Sequence, residues 1–374
     1  MWTTATSAIS PTSSFSPPPS PRKRGGRTMD KLLVLFGGEI ADWKPILIAI
    51  AALAAALMSV GVCLWRGEKL LPMLAALPLG TLASVCLARL IHWYCRSESY
   101  ASLQSAFSEM RGGGYSLIGV FAGMLLAFGL VRLLRLTRDL PALLDCAVPG
   151  AALGIAIGRM GDLFTTADRG KMILADEALH HLPYAAAVQN ATSGATEWRF
   201  ATFAFQSIWC AALCLVFLIA ALWPRRRALA PSRRGSGSLF ALFMALYCCG
   251  QIVLDSTRYD ALFLRSNGFV SLEQILCAVV LAAVAAVYSV RSVRLHGLRF
   301  WHWLLWVLAL AGLGLAGYME YYVQRHGSAY LFAYGLMCLG LALFMAVILA
   351  LFATSAQRRG GPDAPPDANT EITT

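Results

Sequence analysis

Nine separate stretches of this chain each carry about 20 mostly apolar residues, the length an α-helix needs to cross the hydrocarbon core of a bilayer. They run over roughly 45–65, 71–94, 115–135, 141–164, 203–223, 238–257, 270–290, 300–319 and 329–353. No soluble fold needs so many, so the expected fold class is all-α: a polytopic membrane helical bundle of about nine transmembrane helices. The composition agrees, with 58% of the 374 residues hydrophobic, 14% charged and a mean hydropathy of +0.62. Ten cysteines lie scattered through apolar runs without metal-type spacing and read as small apolar fillers. No metal and no other cofactor is expected.

The net charge of +11 suggests nucleic acid at first sight. In a membrane protein it more often reflects basic cytoplasmic loops, so no nucleic-acid partner is expected. One alternating set of loops holds fifteen cations: Arg66, Lys69, Arg132, Arg135, Arg138, Arg225, Arg226, Arg227, Arg233, Arg234, Arg291, Arg294, Arg299, Arg358 and Arg359. The other set holds eight: Arg96, Arg111, Arg169, Lys171, Arg199, Arg258, Arg265 and Arg325. The richer set should face the cytoplasm, which puts the N-terminus outside and the C-terminus inside. Residues 1–28 are Pro/Ser-rich and then basic, with no apolar core of a signal peptide, and conflict with that orientation. A start at Met29 would remove the conflict, leaving 1–28 as a mis-annotated or disordered extension. The tail 354–374 is polar and expected to be disordered. The longest external connection, about 165–202, should carry a small folded piece of its own.

Ionisable residues inside a membrane cost a few kcal/mol on insertion scales, so their default reading is functional. Arg89 lies in "VCLARLIHWY" with His92 a turn later, and Arg159 and Asp162 end the fourth span. Gln251 and Asp255 share one face of the sixth span, with Arg258 at its boundary. All but Arg89 fall toward the outer leaflet. Guanidinium forks grip phosphate oxygens in pairs, so these arginines suit an anionic head group. The plainer alternatives are that Arg159 and Asp162 neutralise each other and that Arg258 snorkels to the interface. Gly112, Gly113 and Gly114 open the third span as a permissive turn, where helix N–H groups are also anion donors. Gly150, Gly154 and Gly158 space small residues for close helix packing.

At these residues the sequence resembles the prolipoprotein diacylglyceryl transferases of bacterial inner membranes. The family signature G-R-x-G-N-F-x-N-x-E-x-x-G stands here as "GRMGDLFTTADRG". Gly158, Arg159, Gly161 and Gly170 match; Asp162 replaces the Asn and Ala167 the Glu. The family's G-G-M-S-x-H-G-G resembles "GGYSLIGV", with Gly113, Gly114, Ser116 and Gly119 matching and Ile118 at the histidine position. Its Y-G-x-x-R-F-x-x-E-F-x-R resembles "YCCGQIVLDSTR": Tyr247 and Arg258 match, Asp255 keeps the acid and Gln251 replaces an arginine. "SLEQ" with Gln274 and "ARL" at 88–90 also fit. A weaker echo of H-P-T-x-L-Y-E is "FATFAFQ", where Phe200, Phe205 and Gln206 are substituted.

The resemblance implies a seven-helix core over 29–290, with residues 291–353 forming two additional transmembrane helices. It implies transfer of a diacylglyceryl group from phosphatidylglycerol to the lipobox cysteine thiol in a prolipoprotein signal peptide, releasing glycerol phosphate at the bacterial plasma membrane. Arg159, Asp162, Asp255 and Arg258 are then the catalytic candidates. Gly113, Gly114, Ser116, Gly158, Gly161, Gly170, Tyr247, Gln251 and Arg89 are the phospholipid-binding candidates. None of His92, His180 and His181 can be assigned to the vacant histidine role. Two other readings stay open. One is a relative that binds anionic phospholipid without this catalysis, or uses another acceptor. The other is an unrelated small-solute transporter, which would need polar groups near the bilayer midplane.

Overall fold

The computed structural model describes residues 43–108, 114–164, 168–174, 176–181, 184–189, 195–223, 237–264, 267–326 and 329–355. Residues 1–28, Met29, the run Arg225 to Arg234, Gly113, Ala167 and nearly all of the tail lie outside these. The helices are α1 (Trp43–Arg66), α2 (Leu70–Cys95), the short α3 (Leu103–Ser108), α4 (Leu117–Leu133), α5 (Leu140–Met160), α6 (Thr202–Leu222), α7 (Ser238–Thr257), α8 (Leu272–His296), α9 (Phe300–His326) and α10 (Tyr330–Thr354).

Eight of these are long and apolar enough to cross a membrane, in line with the expected all-α membrane bundle, and a shorter apolar helix, α4, stands at the ninth expected place. It is shorter than the apolar run at 115–135 from which it was expected. Gly114 adopts a left-handed φ of 80° and Ser116 is extended, so α4 starts only at Leu117 and runs 17 residues. At roughly 1.5 Å per residue that gives about 26 Å, the short end of the spanning range, where the bilayer thins locally to match. Local signals set other ends. Asp139 caps α5 by accepting from the Ala142 N–H at 3.2 Å, with Pro141 in the first turn. Gly297, at φ 72°, stops α8.

Two apolar clusters hold the bundle together. One joins α1, α2, α4, α5 and α6 through Val62, Met73, Phe128, Val131 and Cys146. The other joins α5 to α10 through Val148, Leu213, Phe243, Leu281, Met319 and Ile348. Large apolar residues such as Leu133 and Leu331 point outward instead, as expected where lipid is the solvent. Without a hydrophobic drive between helices, close backbone approach must supply the packing. A Cβ at Gly119 or Gly123 on α4 would strike the backbone of Ala88 or Ser84 on α2, and the Ser84 hydroxyl donates across the seam to the Val120 carbonyl at 2.9 Å.

Polar staples tie down one end of the bundle. Asp145 accepts the Gly237 and Phe240 N–H groups at 2.9 and 2.8 Å, and Ser292 bridges His302 and Thr354 at 3.2 and 2.9 Å. At the other end lie the 168–174 loop and an antiparallel hairpin, β1 (Ala185–Gln189) with β2 (Thr196–Phe200), in which Ala185 faces Phe200. The 165–202 connection therefore does carry structure of its own. A second, irregular pair, β3 (Phe263–Leu264) and β4 (Asn267–Ser271), leads into α8.

Gly123→Val should separate α2 from α4 and cost about 1–3 kcal/mol, as overpacking does. Thermal unfolding of the purified protein in detergent measures it; an unchanged midpoint would show that the contact is not stabilising.

Candidate functional site

The polar end of the bundle is built where several helix termini meet. Arg159 stands in the last turn of α5 and Arg258 caps the end of α7, positions where the helix carbonyls favour a cation. Glu273 stands in the first turn of α8, where an acid is favoured. Between them the 168–174 loop is pinned by its backbone. Gly170 N donates to Phe200 O at 2.8 Å, Lys171 N to Thr257 O at 2.7 Å, and Leu174 N to Trp198 O at 2.7 Å, while Arg169 O accepts from Tyr259 N at 3.1 Å. A Cβ at Gly170 would come 2.8 Å from that of Phe200, so only glycine lets the loop lie this close.

This pinning delivers Asp168, held at a left-handed φ of 55°, into the centre. Its carboxylate pairs with both the Arg159 and the Arg258 guanidinium. Its N–H donates to Asp260 Oδ2 at 2.9 Å. Arg258 is engaged on every nitrogen: Nη2 by Asp168, Nη1 by Asp255 at 3.3 Å and Glu273 at 3.6 Å, Nε by Asp260 at 3.2 Å. Among the described residues Arg159 uses Nη1 alone, toward Asp168 and toward Asp162 at 3.6 Å. Lys44, from the first turn of α1, holds Asp162. Three cations thus meet five carboxylates among the described residues, which is no bare arginine patch. Burial acts to raise the Asp168 pKa. Arg159 and Arg258 overcome it and hold the carboxyl well below the ordinary range.

Ser271 organises the start of α8. Its hydroxyl donates to Asp255 and accepts from the Gln274 N–H at 3.1 Å, while Gln274 Oε1 accepts the Ser271 N–H at 3.1 Å. That reciprocal cap aims one hydroxyl at Asp255. Gln274 Nε2 also donates to the Ile252 carbonyl at 3.2 Å.

The remaining candidates fall in three places. Tyr247, Gln251 and Asp255 follow one face of α7; Tyr247 is buried against Phe121 and Phe243, and Gln251 accepts from Gln206 Nε2 of α6 at 2.6 Å. Positions 206 and 251 are where the resembled family carries an acid and an arginine, so two substitutions that look independent in sequence are partners in space. Gly158 and Gly161 lie against α1, near Ala51 and Lys44. Arg89 does not join the Asp168 cluster. It is buried between the rings of Tyr100 and Tyr115 and donates to the carbonyls of Ala106 and Gly114, while Ser116 N donates to Ala88 O at 3.1 Å. Arg89 therefore shapes the segment before α4. Among the described residues no group of three or more His, Cys, Asp or Glu side chains is arranged to hold a metal ion.

Asp168, Glu273, Asp260 and Lys44 were not singled out by sequence. The available signal was the pair Asp168–Arg169 just before Gly170; aligning the motif on Ala167 hid an acid one residue away.

The family model for prolipoprotein diacylglyceryl transferase matches residues 39–290. The phosphatidylglycerol–prolipoprotein diacylglyceryl transferase 1 of Streptomyces coelicolor is 29% identical over 246 residues, covering 60% of this chain and 65% of the relative. The Streptomyces avermitilis transferase is 28% identical over 244 residues, covering 60% and 66%. That of Streptococcus equi subsp. zooepidemicus is 31% identical over 140 residues, covering 37% and 49%. The chain thus spans slightly less than two thirds of the length of the two Streptomyces relatives and about half that of the Streptococcus one. No solved structure matches it.

Asp168→Asn keeps a residue that tolerates left-handed backbone but removes the shared charge. It should destabilise the protein by about 3–5 kcal/mol, as loss of one partner from a buried ion pair does. Because the Asp168 pKa is depressed, the gap from wild type should persist in mild acid and close only as pH falls below the ordinary carboxylate range. Equal melting temperatures at neutral pH would contradict the bridging role. In a double-mutant cycle, Gln251→Arg alone buries an unpaired guanidinium, and adding Gln206→Glu should recover about 0.5–3 kcal/mol. Strict additivity would mean that the pair is not coupled.

Proposed function

The chain belongs to the prolipoprotein diacylglyceryl transferase family, and we propose that it moves a diacylglyceryl group from phosphatidylglycerol to the lipobox cysteine thiol of a prolipoprotein signal peptide. In that reaction a carbon–sulfur bond forms at the glyceryl carbon and the carbon–oxygen bond to phosphate breaks. Glycerol phosphate leaves with the bonding electrons, and the thiol proton passes to a base. The observation that carries the reading is the unequal use of two arginines converging on Asp168. Arg258 is surrounded by carboxylates and acts as the anchor that positions them. Among the described residues Arg159 has only Nη1 engaged, so three N–H donors on Nε and Nη2 face the task of stabilising charge on the departing phosphate.

The Glu273 carboxylate is the base we assign to the thiol proton, since among the described residues one ion-pair contact at 3.6 Å holds it. Asp162, tied to Lys44 and Arg159, orients the phosphate-binding arginine. The site lies at the outer leaflet in this reading, with the N-terminus outside and the C-terminus cytoplasmic. The placement of Arg66, Arg132, Arg135, Arg138, Arg291, Arg294 and Arg299 at the opposite helix ends supports that orientation.

A second reading rests on the Gln206–Gln251 amide pair and on Ile118, which stand where the resembled family carries ionisable groups. It predicts a relative that binds anionic phospholipid without turning it over, or that serves another acceptor.

Purified protein given phosphatidylglycerol and a lipobox peptide should yield a diacylglyceryl thioether, detected by mass. Arg159→Ala should slow this by about 10²–10³-fold, and Glu273→Gln by about 10²–10⁴-fold. The gene should also restore growth to a strain depleted of its own transferase. A well-expressed protein that binds phosphatidylglycerol yet forms no thioether would replace the first reading with the second.

A further inference from the structure

Next to the Asp168 cluster is a second group of polar atoms that the transfer chemistry does not use. The Lys171 backbone is fixed by its bond to Thr257 O, which sets the residue beside the end of α7. Its Nζ is buried and finds no hydrogen-bond partner among the described residues. Ser256, 1% exposed, has a buried Oγ in the same condition, while its carbonyl accepts from the Tyr334 hydroxyl of α10 at 3.4 Å. Glu320 of α9 is 4% exposed. Its Oε1 accepts from Gln324 Nε2 at 2.7 Å, and its Oε2 has no partner among the described residues.

Lys171 and Glu320 lie within electrostatic reach of each other. Burial lowers the Lys171 pKa, and the nearby charges of Glu320 and Asp255 oppose it. Glu320 also lies within electrostatic reach of Tyr334. Yet no ion-pair contact joins Lys171 to Glu320. An ammonium, a hydroxyl and a carboxylate oxygen thus come from a loop, α7 and α9, each dry and each lacking a bond. Folded proteins leave few such atoms, because each forfeits its solvation without return. A ligand that presents an acceptor to Lys171 and a donor to Glu320 would satisfy all three.

We propose that Lys171, Ser256 and Glu320 form a subsite for the far end of a phospholipid head group, with Lys171 and Ser256 on an acceptor oxygen and Glu320 on a terminal hydrogen donor. The donor is a hydroxyl or an ammonium; both are chemically suited to a carboxylate. The inference rests on the reading of the Asp168 cluster as a phospholipid site. It also gives α9 and α10, which lie beyond the family-matched residues 39–290, a part in recognition.

The test is equilibrium binding of short-chain lipids to the purified full-length protein in detergent. Phosphatidylglycerol is compared with phosphatidylmethanol, which has the same charge but no terminal hydroxyl. Phosphatidylethanolamine is compared with phosphatidylcholine, whose quaternary ammonium donates no hydrogen bond. The donor-ended lipid of at least one pair should bind roughly tenfold or more tightly, the scale of a hydrogen bond to a charged group. Whichever pair discriminates identifies the donor. Glu320→Ala should erase that preference, and Lys171→Met should weaken both members of the pair alike. If Glu320→Ala does not fold, Glu320→Gln should reduce the preference while retaining the fold. Wild-type protein that discriminates in neither pair, or a folded Glu320 variant that keeps the full preference, overturns the subsite. Thioether formation measured in parallel separates the two readings. Head-group preference without transfer removes the transferase reading alone, and transfer without preference removes the subsite alone.

Discussion

The Asp168 carboxylate, shared by Arg159 and Arg258, is the contact on which this end of the molecule depends. Two guanidiniums at the ends of different membrane helices repel each other, and a medium of low dielectric screens that repulsion poorly. Bringing them together requires an anion between them that belongs to neither helix. The loop after α5 supplies it, and the loop is held by backbone hydrogen bonds to β2 and to the end of α7. The left-handed backbone at Asp168 is tolerable for an aspartate and costly for a β-branched residue. The ion bridge and the backbone pinning thus maintain one another: the pinning aims the carboxylate, and the bridge fixes the ends of α5 and α7 to the loop.

Hydropathy made the helices legible, because a span of about 20 apolar residues has few other destinations. It drew α4 two residues too long at each end because periodicity cannot see where the backbone leaves the helical region. Gly114 and Ser116 delay that helix by two residues relative to the apolar run, and left-handed Arg135 lies just past its end. The site was legible in part. Arg159, Asp162, Asp255 and Arg258 were marked by being charged within apolar sequence, and they do meet. Glu273 sat unmarked within the quoted "SLEQ", since an acid in the first turn of a helix is common and carries no flag of its own. Lys44 was invisible for another reason. Its partner Asp162 is 118 residues away, and nothing local to either residue announces that distance closed.

The substituted family positions gain meaning once they are placed in space. Read along the chain, Ala167, Gln206 and Gln251 look like three separate losses. In the structure, Asp168 supplies an acid beside the first, and the other two form one amide hydrogen bond. Removing an acid and a base together leaves the net charge of the interior unchanged, whereas removing either alone would strand its partner. What changes is the character of the contact. An amide pair offers hydrogen bonds without a field, so under the proposed reaction the burden of meeting phosphate charge rests on Arg159.

The two ends of the bundle make different use of polarity, and the difference bears on function. At the end with Asp145 and the Ser292–His302–Thr354 chain, polar groups close on one another and hold helix termini in place. At the Asp168 end, among the described residues, Arg159 uses one nitrogen of three, while Lys171, Ser256 and Glu320 each keep a buried atom without a hydrogen bond. Structural stapling alone favours the first pattern, because every unmet buried group weakens the fold. An end that leaves several unmet on separate elements gives up stability for readiness, the condition that the proposed head-group subsite would use. Under that proposal Glu320 makes α9 part of the surface, and without α9 the same end would present a different one.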